Sequence, residues 1–226
     1  MHIPDGYLGP ETCSFFYAVM IPIWMVASKI AKKTLKTKQV PILAIGAAFS
    51  FVIMMFNVPI PGGSTGHAVG GVLVAILLGP WLACIAITVA LVIQALLFGD
   101  GGITALGANC FNMAFALVFA GYYLYKLISL KATVNSRRRI IAAGIAAYVG
   151  INVSALLTGI EFGIQPLLHR TANGQTLYSP YGLNVAVPAM LVEHLLVFGW
   201  AEAAITALVI KYLQKQDSSL LKIRES

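Results

Sequence analysis

Long apolar runs, separated by short segments rich in basic or turn-forming residues, are the feature that most restricts how this chain can fold. A helix needs roughly 20 apolar residues to cross the hydrocarbon core of a bilayer. Five runs come close to this length, and they cover residues 13–28, 40–58, 104–125, 140–164 and 185–210. Only 10% of the 226 residues are charged, against roughly 25% in a soluble domain. Because lipid cannot satisfy backbone N–H and C=O groups, we expect an all-α integral membrane protein.

A sixth apolar stretch, Ala68–Phe98, spans 31 residues and is interrupted by Gly79-Pro80. The distribution of basic residues decides whether this stretch crosses the membrane once or twice. Lys and Arg cluster in three segments, residues 29–38, 126–139 and 211–224. The positive-inside rule places such segments in the cytoplasm. The stretch must then cross an even number of times, so we expect a hairpin with spans 68–78 and 81–98.

These spans predict a single transmembrane domain over residues 1–226, with about seven helices, an outer N-terminus inserted into the helix bundle, and a cytoplasmic C-terminus. Fourteen of the fifteen Lys and Arg residues then lie inside, and only Arg170 lies outside. The first arm of the hairpin rises only about 17 Å as a helix, little more than half of the hydrocarbon core. We therefore expect His67, which precedes this arm, to lie below the outer surface. The Pro- and Gly-rich segment 59–66 must then dip inward, which is tolerated only where protein or a water-lined cavity satisfies its backbone.

The first ten residues contain two prolines and two glycines and cannot extend the first helix. No basic segment precedes an apolar run there, so we expect no cleaved signal peptide and a mature chain that begins at Met1 or His2. One interpretation is a frayed terminus. The other is a chelate, because the Met1 amine, the His2 backbone nitrogen and the His2 imidazole can close two fused rings around one ion. His67 could supply a fourth nitrogen, and an all-nitrogen square plane favours Ni(II) or Cu(II) over zinc.

Three motifs occur in order along the chain: Met-His-Ile-Pro-Asp-Gly at residues 1–6, Pro-Gly-Gly-Ser-Thr-Gly-His at 61–67, and Gln-Ala-Leu-Leu-Phe-Gly-Asp-Gly-Gly-Ile-Thr-Ala-Leu-Gly-Ala-Asn at 94–109. They closely resemble those of the CbiM/NikM family, the substrate-capture subunits of energy-coupling-factor transporters for cobalt and nickel. The resemblance implies that Met1, His2 and His67 supply the metal ligands, and that the chain has no cofactor besides its substrate metal.

The same resemblance implies a function and a set of partners. The expected function is high-affinity binding of Ni(II), or Co(II), at the extracellular side of the cell membrane, as part of ATP-driven uptake. The expected partners are a transmembrane coupling protein, cytoplasmic ATPase subunits and a small accessory membrane subunit. The nitrogen plane favours nickel over cobalt, but metal supply also decides selectivity in cells.

Polar residues in or beside the spans are candidates to orient the ligands, since a ligating histidine usually donates its other N–H to a fixed acceptor. The candidates are Ser64, Thr65, Gln94, Asn109, Asn112, Glu193 and His194. The alternative role for these residues is hydrogen bonding between helices in lipid. Gln94 and Phe98 are four residues apart, so we expect them on one helical face. Glu202 lies nearer the middle of the last span, where a carboxylate must be paired or protonated.

Two further groups of residues suggest packing roles. Ala27 and Ala31, at the inner end of the first span, form a small-x-x-x-small pattern that allows a partner helix to approach closely, or that serves ordinary packing within the chain. Cys13, Cys84 and Cys110 lack the paired spacing of a zinc or redox site, and we expect them to be buried apolar residues.

Other functional classes fit the sequence poorly. The net charge of +7 lies in the gaps between spans, which argues against nucleic-acid binding. Glu193-His194 would complete an inverted zinc-protease motif only with a histidine where Met190 stands, and the glycine-rich segment before His67 lacks the lysine of a phosphate loop. We therefore expect no enzyme. A retinal protein would need a lysine midway along the last span, where none occurs. A stand-alone secondary carrier or channel for metal ions remains the alternative, and a requirement for ATPase partners separates the two.

Overall fold

The computed structural model describes residues 1–60 and 64–222, and helices account for most of this part of the chain. The helices are α1 (Pro10–Thr34), α2 (Val40–Met54), α3 (Gly71–Leu78), α4 (Pro80–Phe98), α5 (Leu106–Ile128), α6 (Arg137–Leu168) and α7 (Leu183–Gln216). Two 3-10 turns, Thr37–Gln39 and Leu220–Lys222, are also present. Two short strands, β1 (Val58–Ile60) and β2 (Ser64–Gly66), pair antiparallel with Val58 opposite Gly66.

Five of the helices in the described ranges, α1, α4, α5, α6 and α7, are long and apolar enough to cross a membrane. Helix α2 is shorter, with 15 residues, because the run predicted at 40–58 leaves the helical conformation after Met54 and its last residues join β1. The predicted mostly helical membrane class is confirmed. The number of crossings and the side on which each terminus lies stay predictions.

The reversal predicted at Gly79-Pro80 joins α3 to α4. Gly79 has φ +88°, which a residue with a side chain rarely adopts. Pro80 is the first residue of α4, where its missing N–H breaks no hydrogen bond. Helix α3 has eight residues and rises only about 12 Å. All of its residues except Leu77 are buried, because α2, α4, α5, α6 and α7 all pack around it.

Three of the helices contain a π-helical turn. The turns are Gln94–Phe98 in α4, Cys110–Ala116 in α5 and His194–Phe198 in α7. Hydrogen bonds in such a turn run from residue i to residue i+5. Gln94 is fully buried and Phe98 is 56% exposed, so the two residues predicted to share a helical face differ in burial, and the shared face stays a prediction.

The small residues of α1 mainly serve packing within the chain. Ala27 is fully buried and Ala31 is partly buried. Ala27 therefore cannot offer a surface to a partner helix, and its role is the internal packing that the sequence left as the alternative. Only Ala31 stays a candidate for partner contact. The three cysteines are free and buried, as predicted.

Candidate metal site

The N-terminal segment enters the helical bundle as irregular backbone. Met1 and Ile3 are fully buried and His2 is 4% exposed. The Met1 amino group donates to the backbone carbonyl of Thr65 in β2. Asn109 of α5 holds Ile3 at both backbone groups: its Oδ1 accepts from the Ile3 N–H at 2.8 Å, and its Nδ2 donates to the Ile3 carbonyl at 3.1 Å. Buried backbone groups need such partners, and these contacts fix the position of His2.

The His2 imidazole lies beside a carboxylate that the sequence analysis did not single out. Its Nδ1 is 2.9 Å from Oδ1 of Asp100, and Oδ2 of Asp100 accepts from Nδ2 of Asn57 at 3.0 Å. Nε2 of His2 is buried and has no hydrogen-bond partner. Asp100 belongs to the third sequence motif, and its glycine neighbours Gly99 and Gly101, both with positive φ, are the signal that could have identified it as a residue held in a functional turn.

His67 lies in the loop of residues 67–70 between β2 and α3, which we call the His67 loop. It is fully buried within the protein, and its depth below the outer membrane surface stays a prediction. Its Nδ1 donates to the carbonyl of Ala68 at 3.1 Å, and its Nε2 is buried with no partner among the described residues. The ring centroids of His2 and His67 are 4.5 Å apart, with 27° between the ring planes. The structure therefore brings the two predicted histidine ligands side by side.

Helix α7 holds the His67 loop in place through Glu202, whose partner the sequence could not identify. The Glu202 carboxylate accepts from the backbone N–H of Val69 at 2.7 Å and from that of Gly70 at 2.9 Å. One turn earlier, Phe198 packs so closely on Gly66 that a Cβ there would lie 1.9 Å from its ring. Both ends of the loop are thus fixed against the same helix.

Burial keeps the candidate nitrogen ligands uncharged. It lowers the pKa of the Met1 amino group from 8.0 to about 4, although Asp100 and Glu193 act in the opposite direction. Burial also lowers the pKa of His2. The pKa of His67 is held well below its usual value by burial, and secondarily by the Met1 amino group and His2. A transition metal binds deprotonated nitrogens, so these groups need not first lose a proton near neutral pH.

The other predicted orienting residues have separate roles. Thr65 contributes its backbone carbonyl and Asn109 its side-chain amide, as described above. Asn112 instead faces α6, where its Nδ2 donates to Oγ1 of Thr158 at 3.2 Å and to a carboxylate oxygen of Glu161 at 2.8 Å. Asn112 therefore joins two helices, which is the alternative role considered for these residues.

Gln94, Glu193 and His194 stay at the margin of the site. Gln94 is buried with its Nε2 3.9 Å from Sδ of Met55. His194 is buried, donates from Nδ1 to the Met190 carbonyl at 2.7 Å, and has no partner at Nε2. Glu193 is near enough to the N-terminus to raise the pKa of the Met1 amino group. The side chain of Ser64 and residues 61–63 of the second motif lie outside the described part of the chain.

Side chains alone do not make up a metal site in the described ranges, where no group of three or more His, Cys, Asp or Glu residues could hold a metal ion. Two imidazoles meet at the N-terminus, so any ion there would need further ligands from the main chain. The amine of Met1 and the backbone nitrogen of His2 are the two nitrogens at hand. A metal site here would therefore include the N-terminal amine as one of its ligands.

Comparison with known proteins gives this site a context. Residues 2–220 match the protein family described as the cobalt uptake substrate-specific transmembrane region, CbiM. The chain belongs to the CbiM family. The fused nickel transport protein NikMN of Rhodobacter capsulatus is 51% identical over all 226 residues, which cover 65% of that relative. A putative metal transport protein of Methanocaldococcus jannaschii is 50% identical over the whole chain and 96% of its own length.

Solved structures are also similar to this CbiM family member. The crystal structure of a truncated transition metal transporter superposes with a TM-score of 0.90 and 58% sequence identity, over 94% of this chain and 98% of that one. The chain spans about 65% of the fused relatives, which include a probable fused nickel transport protein, LarMN, of Lactiplantibacillus plantarum. The family is a component of metal transporters and not an enzyme family, and the apolar helices make this chain a multi-pass membrane protein.

Proposed function

We propose that this chain captures Ni(II), or less favourably Co(II), at the outer side of the membrane, as the substrate-binding component of an ATP-driven uptake transporter. The ligands are the Met1 amine, the backbone nitrogen and imidazole of His2, and Nε2 of His67. One observation carries the proposal: His2 and His67 are buried side by side, 4.5 Å between ring centroids, and Nε2 of His67 has no hydrogen-bond partner among the described residues.

The separation of the two rings suits adjacent corners of a square plane. With metal–nitrogen bonds of about 2 Å, two imidazoles at adjacent corners have centroids roughly 4.5 Å apart, whereas opposite corners would place them roughly 6 Å apart. In a fused chelate the Met1 amine lies opposite the His2 imidazole, and the corner opposite the His2 amide is left for a fourth ligand. That corner adjoins the His2 imidazole, and the short distance between the two rings supports His67 as the fourth ligand.

Asp100 has a defined role in this proposal. The fused chelate uses Nδ1 of His2, the atom that lies against the Asp100 carboxylate. Metal binding then requires a half-turn of the ring about the Cβ–Cγ bond, which moves Nδ1 from the carboxylate to the ion. The carboxylate also places a negative charge beside an incoming cation, and a ligating histidine commonly depends on such a neighbour.

The nitrogen set favours nickel over cobalt, because affinity rises from Co(II) to Ni(II) and a square plane suits nickel. Protein purified without added metal should bind one Ni(II) per chain, with a visible absorption spectrum of square-planar nickel and with Co(II) as a weaker competitor. Failure to bind either ion, or an oxygen-rich octahedral spectrum, would exclude the proposed ligand set.

The outer location of the site can be tested by cysteine labelling. Asn173→Cys lies in the loop between α6 and α7 and should react with an impermeant thiol reagent in intact cells. Lys36→Cys lies between α1 and α2, in the most basic of the predicted cytoplasmic segments, and should react only after the membrane is opened. Labelling of Lys36→Cys in intact cells would contradict the proposed orientation.

The partners follow from the same proposal. We infer a transmembrane coupling protein, cytoplasmic ATPases and a small accessory membrane subunit, and the fused relatives, longer than this chain, are compatible with such an assembly. Nickel uptake should stop when the ATPases carry an inactivated nucleotide site. Undiminished uptake in that strain would instead support the alternative, a stand-alone carrier or channel.

A further inference from the structure

The Asp5 carboxylate accepts three hydrogen bonds from Ile103 and Thr104, although no role has been given to it so far. Its Oδ1 accepts from the backbone N–H of Thr104 at 2.8 Å and from the Thr104 hydroxyl at 2.5 Å. Its Oδ2 accepts from the backbone N–H of Ile103 at 3.2 Å. Asp5 itself is exposed to solvent. The contact with the Thr104 hydroxyl is the main reason why the pKa of Asp5 lies below its usual value.

Asp5 is the last in a row of contacts that aligns two segments of the chain. His2 contacts Asp100, and the carbonyl of Ile3 accepts from the N–H of Gly102 at 2.8 Å. Asp5 then contacts Thr104, so the segment 2–5 lies alongside the turn of residues 100–104 in the same direction. The fit is close, since a Cβ added to Gly102 would lie 2.4 Å from the Asp5 carboxylate. The N-terminal segment is therefore seated as a peptide in a matching turn.

We propose that Asp5 is a positioning residue for metal binding: it fastens the N-terminal segment to the turn of residues 100–104 and thereby sets how long the ion stays bound. This inference rests on the proposed function. Met1 and His2 reach the site only while their segment is seated, and leaving the site requires the row of contacts to open. The inner contacts at Ile3 and Asn109 are buried, whereas Asp5 lies at the exposed end, where opening begins.

The test compares metal dissociation from Asp5→Ala, Asp5→Asn and Thr104→Val with the unmodified chain. Ni(II) is loaded first, and its release to a chelator in excess is followed by the visible absorption of the complex. We expect Asp5→Ala to release nickel roughly tenfold faster or more, since it removes three hydrogen bonds to a charged acceptor. Thr104→Val removes one of the three and should be intermediate, and Asp5→Asn, which keeps an oxygen acceptor, should be partly rescued.

Glu11→Gln is the matched control for charge. Glu11 is a carboxylate with 77% of its side chain exposed, and its recorded contact is with His169, at 3.5 Å. Asp5→Asn and Glu11→Gln each remove one negative charge from the outer side. Faster release from Asp5→Asn than from Glu11→Gln therefore reports the hydrogen bonds. An equal acceleration of release in these two, as large as that in Asp5→Ala, would assign the whole effect to charge and overturn the proposal.

The absorption spectrum separates positioning from ligation. The nickel band of the Asp5 variants should keep the position it has in the unmodified chain, because the four ligands are unchanged. A shifted band would show that Asp5 affects the coordination itself, and an unchanged dissociation rate in Asp5→Ala would exclude the fastening role. Should the unmodified chain bind no nickel, it is the proposed function that fails, and the two failures are thus distinguishable.

Discussion

The two ends of the described chain are both irregular, and both adjoin a long helix, yet they are held by different means. At the N-terminus Met1 and Ile3 are fully buried, and hydrogen bonds from three separate segments hold the first three residues. After α7, Asp217 is exposed and accepts a hydrogen bond from the nearby backbone N–H of Ser219. Among residues 217–221 only Leu221 is buried.

The comparison teaches what burying a chain end requires. Fixing each residue costs about 1–2 kcal/mol in backbone entropy, and burying an amine adds a desolvation cost. The N-terminal segment offsets these costs with specific polar contacts, each of which depends on one geometry. Residues 217–221 instead rely on one buried apolar side chain, Leu221. Apolar packing does not depend on one exact geometry in the way that a hydrogen bond does. We therefore expect function to be sensitive to small changes at the first end and tolerant of large ones at the second.

The largest effect should come from blocking the amine of Met1. An uncleaved N-terminal tag, or a retained formyl group, removes one ligand and adds chain where Met1 is fully buried. Nickel affinity should fall at least a hundredfold, as measured by competition with a chelator of known affinity. An identical tag placed after Ser226 should leave the affinity unchanged. Equal affinity of the two tagged proteins would remove the proposed distinction between the ends.

Replacing His67 should have the next largest effect. His67→Ala removes one ligand but leaves the Met1–His2 chelate, so we expect an affinity loss of tenfold or more and a shifted nickel absorption band. His169→Ala is the control, since that histidine lies near Glu11 and is not a proposed ligand. A loss below threefold for His67→Ala would make His67 a structural residue only.

The pH dependence tests the burial of the amine. Each proton released on binding changes the affinity about tenfold per pH unit, with weaker binding in acid. Because the pKa of the Met1 amine lies near 4, only the His2 amide should release a proton between pH 8 and 6. An amine with its ordinary pKa of 8.0 would release a second one. Calorimetry in buffers of different ionisation enthalpy counts these protons.

The same shift in pKa links pH to stability without metal. Between pH 4 and 8 the unfolded chain binds a proton at Met1 that the folded chain does not, so folding is favoured by rising pH in this window. The contribution of the Met1 amine to the free energy of unfolding is fully present above pH 8 and is lost as the pH falls toward 4. Thermal unfolding of the metal-free protein over this range should show the trend, and an acetylated N-terminus should remove the part of it above pH 6.5, where the lowered pKa values of His2 and His67 do not contribute.

The smallest effect should come from the other end of the chain. Leu221→Ala removes the one buried side chain among residues 217–221, at 7% exposure, and should lower the free energy of unfolding by about 2–3 kcal/mol. Nickel affinity should stay within twofold, because no ligand moves. A large loss of affinity in this variant would show that the two ends are coupled, contrary to the contrast drawn above.

Local sequence signals predicted the parts of this molecule that depend on neighbours in the chain. Gly79-Pro80 indicated the reversal, because a positive φ and a missing N–H are properties of those residues themselves. Met1 and His2 suggest a chelate, because its rings would form within two residues, and this stays a prediction. The short arm before the reversal predicted the burial of His67, which is confirmed. These inferences needed no knowledge of which helices pack together.

The remaining features depend on contacts between distant segments. Asp100 meets His2 across 98 residues, and Glu202 meets Val69 across 133, so neither pair leaves a local pattern. The sequence did not predict the π-helical turns for a related reason, since tertiary packing decides where a helix accepts an extra residue. The spacing of Gln94 and Phe98 likewise predicts a helical face but not how deeply each residue on it is buried.

The short helix α3 has a consequence for leakage. Its eight residues are all that separates the His67 loop from the reversal at Gly79, and Val72–Ile76 are apolar and buried. A bare ion entering such a medium would face a large desolvation cost, so even an apolar partition only about 12 Å thick opposes its passage. We therefore expect an ion to pass only if α3 and its neighbours rearrange.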